Sequence, residues 1–180
     1  MRALIVALIM APTTLLAETC PQAPDHEAEM AAIIARLQAA PTEGAARPEV
    51  NRLWEIWTDA PDAAAQEMLD RGMRARSSYD WDGARAAFDE LTAYCPDYPE
   101  GYNQRAFVDF LRGNYGAALE DLERTLERDP DHIAAMSGLA LTLLRLGRDE
   151  AGQAALRSAL KLNPWLPERG LLVEPPGKDI

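Results

Sequence analysis

Apolar positions recur with a helical step through most of the chain, most plainly over Tyr115–Arg128. There Leu119, Leu122 and Leu126 fall three or four residues apart with polar residues between them, which predicts one buried stripe on a solvated helix. The run from Tyr102 to Leu111 predicts a helix before it, and Gly113-Asn114 a turn between the two. Glycine suits the left-handed residue that ends a helix, where a Cβ would be penalised. Ala106 and Ala118 fall where these helices cross, and their small side chains let the backbones approach. Pro130 then ends the pair, because proline lacks an amide hydrogen and restricts the residue before it.

This pair is written three times. Cys95-Pro96, Asp129-Pro130 and Asn163-Pro164 place proline at steps of 34 residues. Small residues recur in phase at Gly72, Ala106 and Ala140, and again at Ala84, Ala118 and Gly152. A bulky apolar residue recurs at Phe88, Leu122 and Leu156, and glycine at Gly113 and Gly147, with Tyr79 in its place in the first copy. A 34-residue period with two fixed small positions marks a helix–turn–helix repeat, and a single such pair must stack on neighbours to bury its apolar face. The stretch resembles the tetratricopeptide repeat (TPR) over a little more than half of the chain. The resemblance implies an all-α fold, a right-handed α-solenoid of stacked antiparallel helix pairs, with repeats at 65–98, 99–132 and 133–166.

The flanks are less regular. Residues 1–17 read as an export signal: Arg2 supplies the positive start, Ala3 to Ala11 a short apolar run, and Ala17 a small residue at the cleavage point. That run is far below the roughly 20 residues of a membrane span. Glu18 and Thr19 do not resemble the residues that precede a lipidated cysteine, so Cys20 is read as unlipidated and the mature chain as starting at Glu18, periplasmic or secreted. Residues 18–24 form an extended lead-in. The segment 25–62 reads as a degenerate helical pair that packs on the first repeat: one helix from a cap at Asp25 to about Ala40, a turn or an irregular helical stretch from Pro41 to Pro48, and a second helix over Glu49 to Asp59. Residues 167–180 form a tail with a short capping segment. Trp165, Leu171 and Leu172 either fold back over the third repeat or leave an edge open to a second copy.

Composition narrows the function. A net charge of −11 argues against nucleic acid and against an anionic membrane surface. The acidic residues Glu120, Asp121, Glu123, Glu127 and Asp129 crowd one outer helix and read as a solvated face. His26 and His132 stand in no metal-ligand spacing, and no phosphate loop, nucleophile elbow or zinc motif occurs. The expectation is therefore a non-enzyme with no metal and no cofactor. Cys95 closes a helix beside Asp97, where dipole and charge both disfavour a thiolate. In an exported chain the two cysteines instead suggest a bridge: Cys95 ends the fourth helix at the same end of the stack where the first begins, and the five residues from Cys20 to Asp25 reach about 17 Å. Arg105 and Asp109 share a helix face four residues apart and predict a partly buried ion pair, with Arg71 near it.

The resemblance also implies where a partner would sit. In arrays of this kind the first helix of each repeat lines a concave groove, at five positions per copy. These fall on Gln66, Leu69, Met73, Arg76 and Ser77, then on Glu100, Asn103, Phe107, Phe110 and Leu111. In the third copy they fall on Ala134, Ser137, Leu141, Leu144 and Arg145. The groove residues singled out are Leu69, Met73, Arg76, Asn103, Phe107, Phe110, Leu141, Leu144 and Arg145, apolar with arginine anchors inside an acidic protein. The third copy offers Ala134 and Gly138 where a chaperone-tail carboxylate clamp would need basic residues. The expected function is a periplasmic scaffold binding a peptide segment of another protein. Self-assembly through open repeat ends is the alternative.

Overall fold

A computed structural model of the chain describes residues 19–173. The export segment and the end of the tail lie outside the described residues. Among these, eight α-helices form: α1 (Glu27–Ala39), α2 (Glu43–Trp57), α3 (Ala63–Ser77), α4 (Trp81–Tyr94), α5 (Pro99–Leu111), α6 (Tyr115–Arg128), α7 (Ile133–Arg145) and α8 (Asp149–Leu162), followed by a short 3-10 helix, Pro167–Leu171.

The 34-residue step governs the local geometry of α3 to α8. Cys95, Asp129 and Asn163 are C-caps, and each donates its amide to the carbonyl four residues back, Leu91, Thr125 and Ala159, before proline stops the helix. The turns inside the pairs are equivalent too. Asp80, Asn114 and Arg148 donate to Ala75, Asp109 and Leu143 across a residue of positive φ. That residue is Gly113 or Gly147 in two copies and Tyr79 in the first, at φ 63°. A tyrosine held there is strained, and its ring is 77% exposed. Tyr79→Gly is therefore expected to raise stability by about 0.5–1 kcal/mol, read as a shift in urea midpoint at unchanged slope. A lower midpoint would show that the edge contact between Tyr79 and Trp81 outweighs the strain. The crossing positions are equally strict. A Cβ on Gly72 would lie 2.4 Å from the ring of Phe88.

Arg105 and Asp109 do not pair with each other. The fork of Arg105 grips Asp121 on α6, Nε to Oδ2 at 2.6 Å and Nη2 to Oδ1 at 2.8 Å, while Nη1 reaches Asp89 and Thr92 on α4. Asp109, fully buried, is held instead by Arg85 of α4 at 2.6 Å. Both side chains point into the seams between helices rather than along their own helix face, and Arg71 is taken up by Glu90. Burial alone would lower the pKa of Arg105, but the two carboxylates outweigh it and hold the guanidinium above its ordinary value.

The N-terminal pair corrects the expectation most. α2 begins at Glu43, capped by Thr42, whose Oγ1 accepts the Ala45 amide at 3.2 Å, so of the two readings of Pro41 to Pro48 the helical one holds from Glu43, as a regular helix continuous with the next. Pro48 lies inside it, exposed in the early turns where the lost bond falls on a solvated carbonyl. The pair does not pack on the first repeat. Ile33, Leu37, Ala46, Leu53, Ile56 and Trp57 form one core with Ile133, Ala159 and Leu166, so α1 seats on α8 and α2 lies across the concave face against α7. Gln38 donates to the Lys161 carbonyl at 2.9 Å, the Trp165 indole to the Ala40 carbonyl at 3.2 Å, and Arg169 to Glu43 at 3.0 Å. The chain thus folds its beginning onto the end of its own repeat stack. The lead-in runs back to the other end, where Cys20 is bonded to Cys95 with the Cα atoms 5.1 Å apart.

Candidate functional site

Laying α2 over the concave face encloses a cavity of about 520 Å³. Its floor is α5 and α7, with Phe107 and Phe110 from the first and Ile133, Ser137 and Leu141 from the second. Its wall is α2, contributing Val50, Leu53, Trp54 and Trp57, and its far end is closed by Trp165 and Leu166. Three of the chain's four tryptophans and two of its three phenylalanines therefore meet around one space. Trp54 and Phe107 keep 38% and 45% of their surface exposed, and the hollow communicates with solvent past them.

Of the groove residues expected from sequence, Arg76, Asn103, Phe107, Phe110 and Leu141 line this cavity. The other four do not. Leu69 is fully buried in the core of the first pair with Phe88 and Leu91, and Met73 packs against the same core. Leu144 lies over Gly152, where α7 and α8 touch, and Arg145 is exposed in the last turn of α7. The repeat phase assigns all of these to one helix face, but tight packing of α3 on α4 and of α7 on α8 draws Leu69, Met73 and Leu144 into the seams, and Arg145 stays in solvent. The residues missed are those of α2 and the Trp165 segment. Their apolar character is visible in sequence; their destination is not.

Beneath the cavity runs a chain of buried polar groups. Glu100 and His132 are both fully buried, His132 Nε2 lying 3.0 Å from Glu100 Oε2. His132 caps α7: its Nδ1 accepts the Ala135 amide at 3.2 Å, which leaves Nε2 to carry the proton toward the carboxylate. Asn103 donates to the same carboxylate at 2.9 Å, and Gln104 to its other oxygen. Arg76 in turn donates to the Gln104 carbonyl oxygen and stands over the Phe107 ring at 4.9 Å. From above, Trp57 stacks on His132 at 4.2 Å, and Tyr98 donates to the Trp57 carbonyl at 2.6 Å. Burial, aided by the charge of Glu100, raises the Tyr98 phenol far above its ordinary pKa, so it stays a donor. Both nitrogens of His132 and both oxygens of Glu100 are occupied inside the protein. They fix α2, α5 and α7 relative to one another rather than facing a bound molecule as acid or base. Among the described residues no group of three or more histidine, cysteine or acidic side chains is placed to hold a metal ion, and no helix is long and apolar enough to cross a membrane.

Comparison with known proteins agrees with this architecture. Residues 110–165 match the family model described as tetratricopeptide repeat. A TPR repeat-containing protein of Rhizobium etli is 32% identical over 108 residues, 60% of this chain and 53% of its own, so the chain spans about half the length of that relative. Among solved structures, the TPR2B domain of yeast Sti1 in its pHsp70 complex has a TM-score of 0.55 at 22% identity, covering 56% of this chain and 81% of that one. The first TPR of Spaghetti (RPAP3), bound to an HSP90 peptide, has a TM-score of 0.58 at 18% identity, over 59% and 85% of the two chains. At such identities the likeness establishes the fold.

Proposed function

We propose that this chain, a tetratricopeptide-repeat solenoid in its fold, is a non-catalytic interaction module that receives apolar side chains of a partner protein in the cavity under α2. The observation that carries this reading is the convergence of Trp54, Trp57, Trp165, Phe107 and Phe110 on one solvent-connected space. Large apolar surface left wet at such an opening is costly unless something covers it. Of the same fold, the TPR2B domain of Sti1 is in a complex with pHsp70 and the first TPR of RPAP3 is bound to an HSP90 peptide. Self-stacking is the weaker reading, because α1, α2 and the Trp165 segment already cover the face of the last repeat.

Phe107 is the residue to test. Phe107→Ala is expected to lower partner affinity by about 1–3 kcal/mol while shifting the melting temperature little, since its ring is nearly half exposed. The partner is first fixed by a photo-crosslinking residue at position 54, on the cavity mouth, and affinity is then measured for both forms of the protein. A fall in melting temperature with unchanged affinity would move Phe107 to the core and remove the cavity from the reading.

The same proposal places the protein outside the cytoplasm, in the periplasm or secreted. Its support is Arg2, the apolar run to Ala11, the Ala17 boundary and the bonded Cys20–Cys95 pair, which suits an oxidising compartment. Intact mass of the native protein is expected to correspond to a chain beginning at Glu18. A retained Met1, or a lipid on Cys20, refutes it.

A further inference from the structure

Arg76, in the cavity lining, forms no ion pair among the described residues; the lining also holds two carboxylates, Glu43, which is taken up by Arg169, and Glu168. Arg76 leaves the last turn of α3 and lines the cavity, partly buried, and among the described residues its partners are the Gln104 oxygen and the Phe107 ring. The other arginines turned toward helix seams are paired differently: Arg85 holds Asp109 and Arg105 holds Asp121. Burial pushes the Arg76 guanidinium below its ordinary pKa, and the charge of Glu100 works against that push. Other polar atoms of the same lining have no hydrogen-bond partner among the described residues, Glu168 Oε2 and the Thr142 hydroxyl among them. Thr142 is fully buried on α7.

We infer that the cavity takes an aromatic side chain of an extended partner segment, with one acidic side chain beside it seated on Arg76. This rests on the interaction reading just proposed. The aromatic preference follows from the lining, where Trp54, Trp57, Trp165, Phe107 and Phe110 offer both ring faces and ring edges, the surfaces against which another ring packs best. The acid follows from Arg76. Its guanidinium is partly buried and is placed over Phe107 by that ring and the Gln104 oxygen, so an arriving carboxylate meets a fork that is already in part desolvated and ordered. The preference is for a single acid rather than an acidic run, because a net charge of −11 repels polyanions at long range while a contact at Arg76 acts at short range.

Three blocked pentapeptides test this on the unaltered full chain: acetyl-Gly-Phe-Phe-Asp-Gly-amide, the same peptide with Asn for Asp, and the same with both Phe replaced by Ala. Phenylalanine contributes little emission, so binding is read from the fluorescence of the tryptophans that line the cavity. The Phe-Phe-Asp peptide is expected to bind about tenfold more tightly than its Asn counterpart, as a hydrogen-bonded charge warrants. In Arg76→Gln the ratio of the two affinities is expected to fall to about one. Equal affinity of the Asp and Asn peptides for the unaltered protein overturns the acid preference and leaves the cavity reading standing. Equal affinity of the Ala-Ala and Phe-Phe forms overturns the aromatic preference. No saturable change with any of the three overturns the cavity reading as well. The decisive comparisons are made on the native chain, so their outcome does not depend on how a variant folds.

Discussion

Exchanging both Cys20 and Cys95 for alanine is expected to cost the folded protein about 4–5 kcal/mol on the loop-entropy account of disulfides. The two residues stand 75 apart in sequence, so the bond closes a loop that contains α1 to α4 and removes many conformations from the unfolded chain. That is a large share of the roughly 5–15 kcal/mol by which domains are stable. The loss will be shared unevenly. Cys95 is 1% exposed at the end of α4 among Leu91 and Tyr98, so that end stays buried without the bond. The lead-in depends on it far more, since α1 begins only at Glu27 and is seated at the other end by Ile33 and Leu37. Urea denaturation of the oxidised protein beside the double alanine variant gives the total, and amide exchange locates it. Loosening is expected to begin before Glu27, with α1 and α2 still docked on α7 and α8. A difference below about 1 kcal/mol would mean that the unfolded chain is confined by something other than this bond.

The repeats were legible because each of their signals is local. Proline after Cys95, Asp129 and Asn163, the small residue at Gly72, Ala106 and Ala140, and the left-handed turn each act within one helix pair, and they repeat in one phase. The placement of α1 and α2 was not legible. Leu53, Ile56 and Trp57 announce a buried stripe, but a stripe fits any apolar surface. The surface it meets, Ile133, Ala159 and Leu166, lies far along the chain, beyond two intervening repeats. Stacking on the nearest repeat in sequence was the simplest assumption, and it fails because the apolar concave face of α7 is the better partner. Half of the cavity was hidden for the same reason, since its wall is α2. Glu100 shows the limit at a single residue. Its place in the repeat reads as a polar group lining a groove, whereas it is fully buried against a histidine 32 positions away.

That residue carries the largest single-substitution effect expected here. Glu100→Leu should destabilise the protein by about 3–5 kcal/mol, the usual consequence of removing one member of a buried polar pair. Volume is nearly kept, so a cavity contributes little. The loss comes from donors left without an acceptor: His132 Nε2, Asn103 Nδ2 and Gln104 Nε2 all give their hydrogens to this one carboxylate. A double-mutant cycle with His132→Leu separates this from simple packing. If the pair is what matters, the double variant is less destabilised than the sum of the singles, with a coupling of about 1–3 kcal/mol. His132→Leu alone also removes the cap on α7 and the ring on which Trp57 stacks, so α2 should loosen and the tryptophan emission should shift to the red. Additive losses would place the two residues in independent roles and falsify the account of them as one unit. The binding consequence runs the same way. Gln104 is the link between Glu100 and Arg76, so once Glu100 is gone the guanidinium loses the group that orients it over Phe107. Even at temperatures where Glu100→Leu stays folded, the advantage of the Asp peptide over the Asn peptide is expected to shrink.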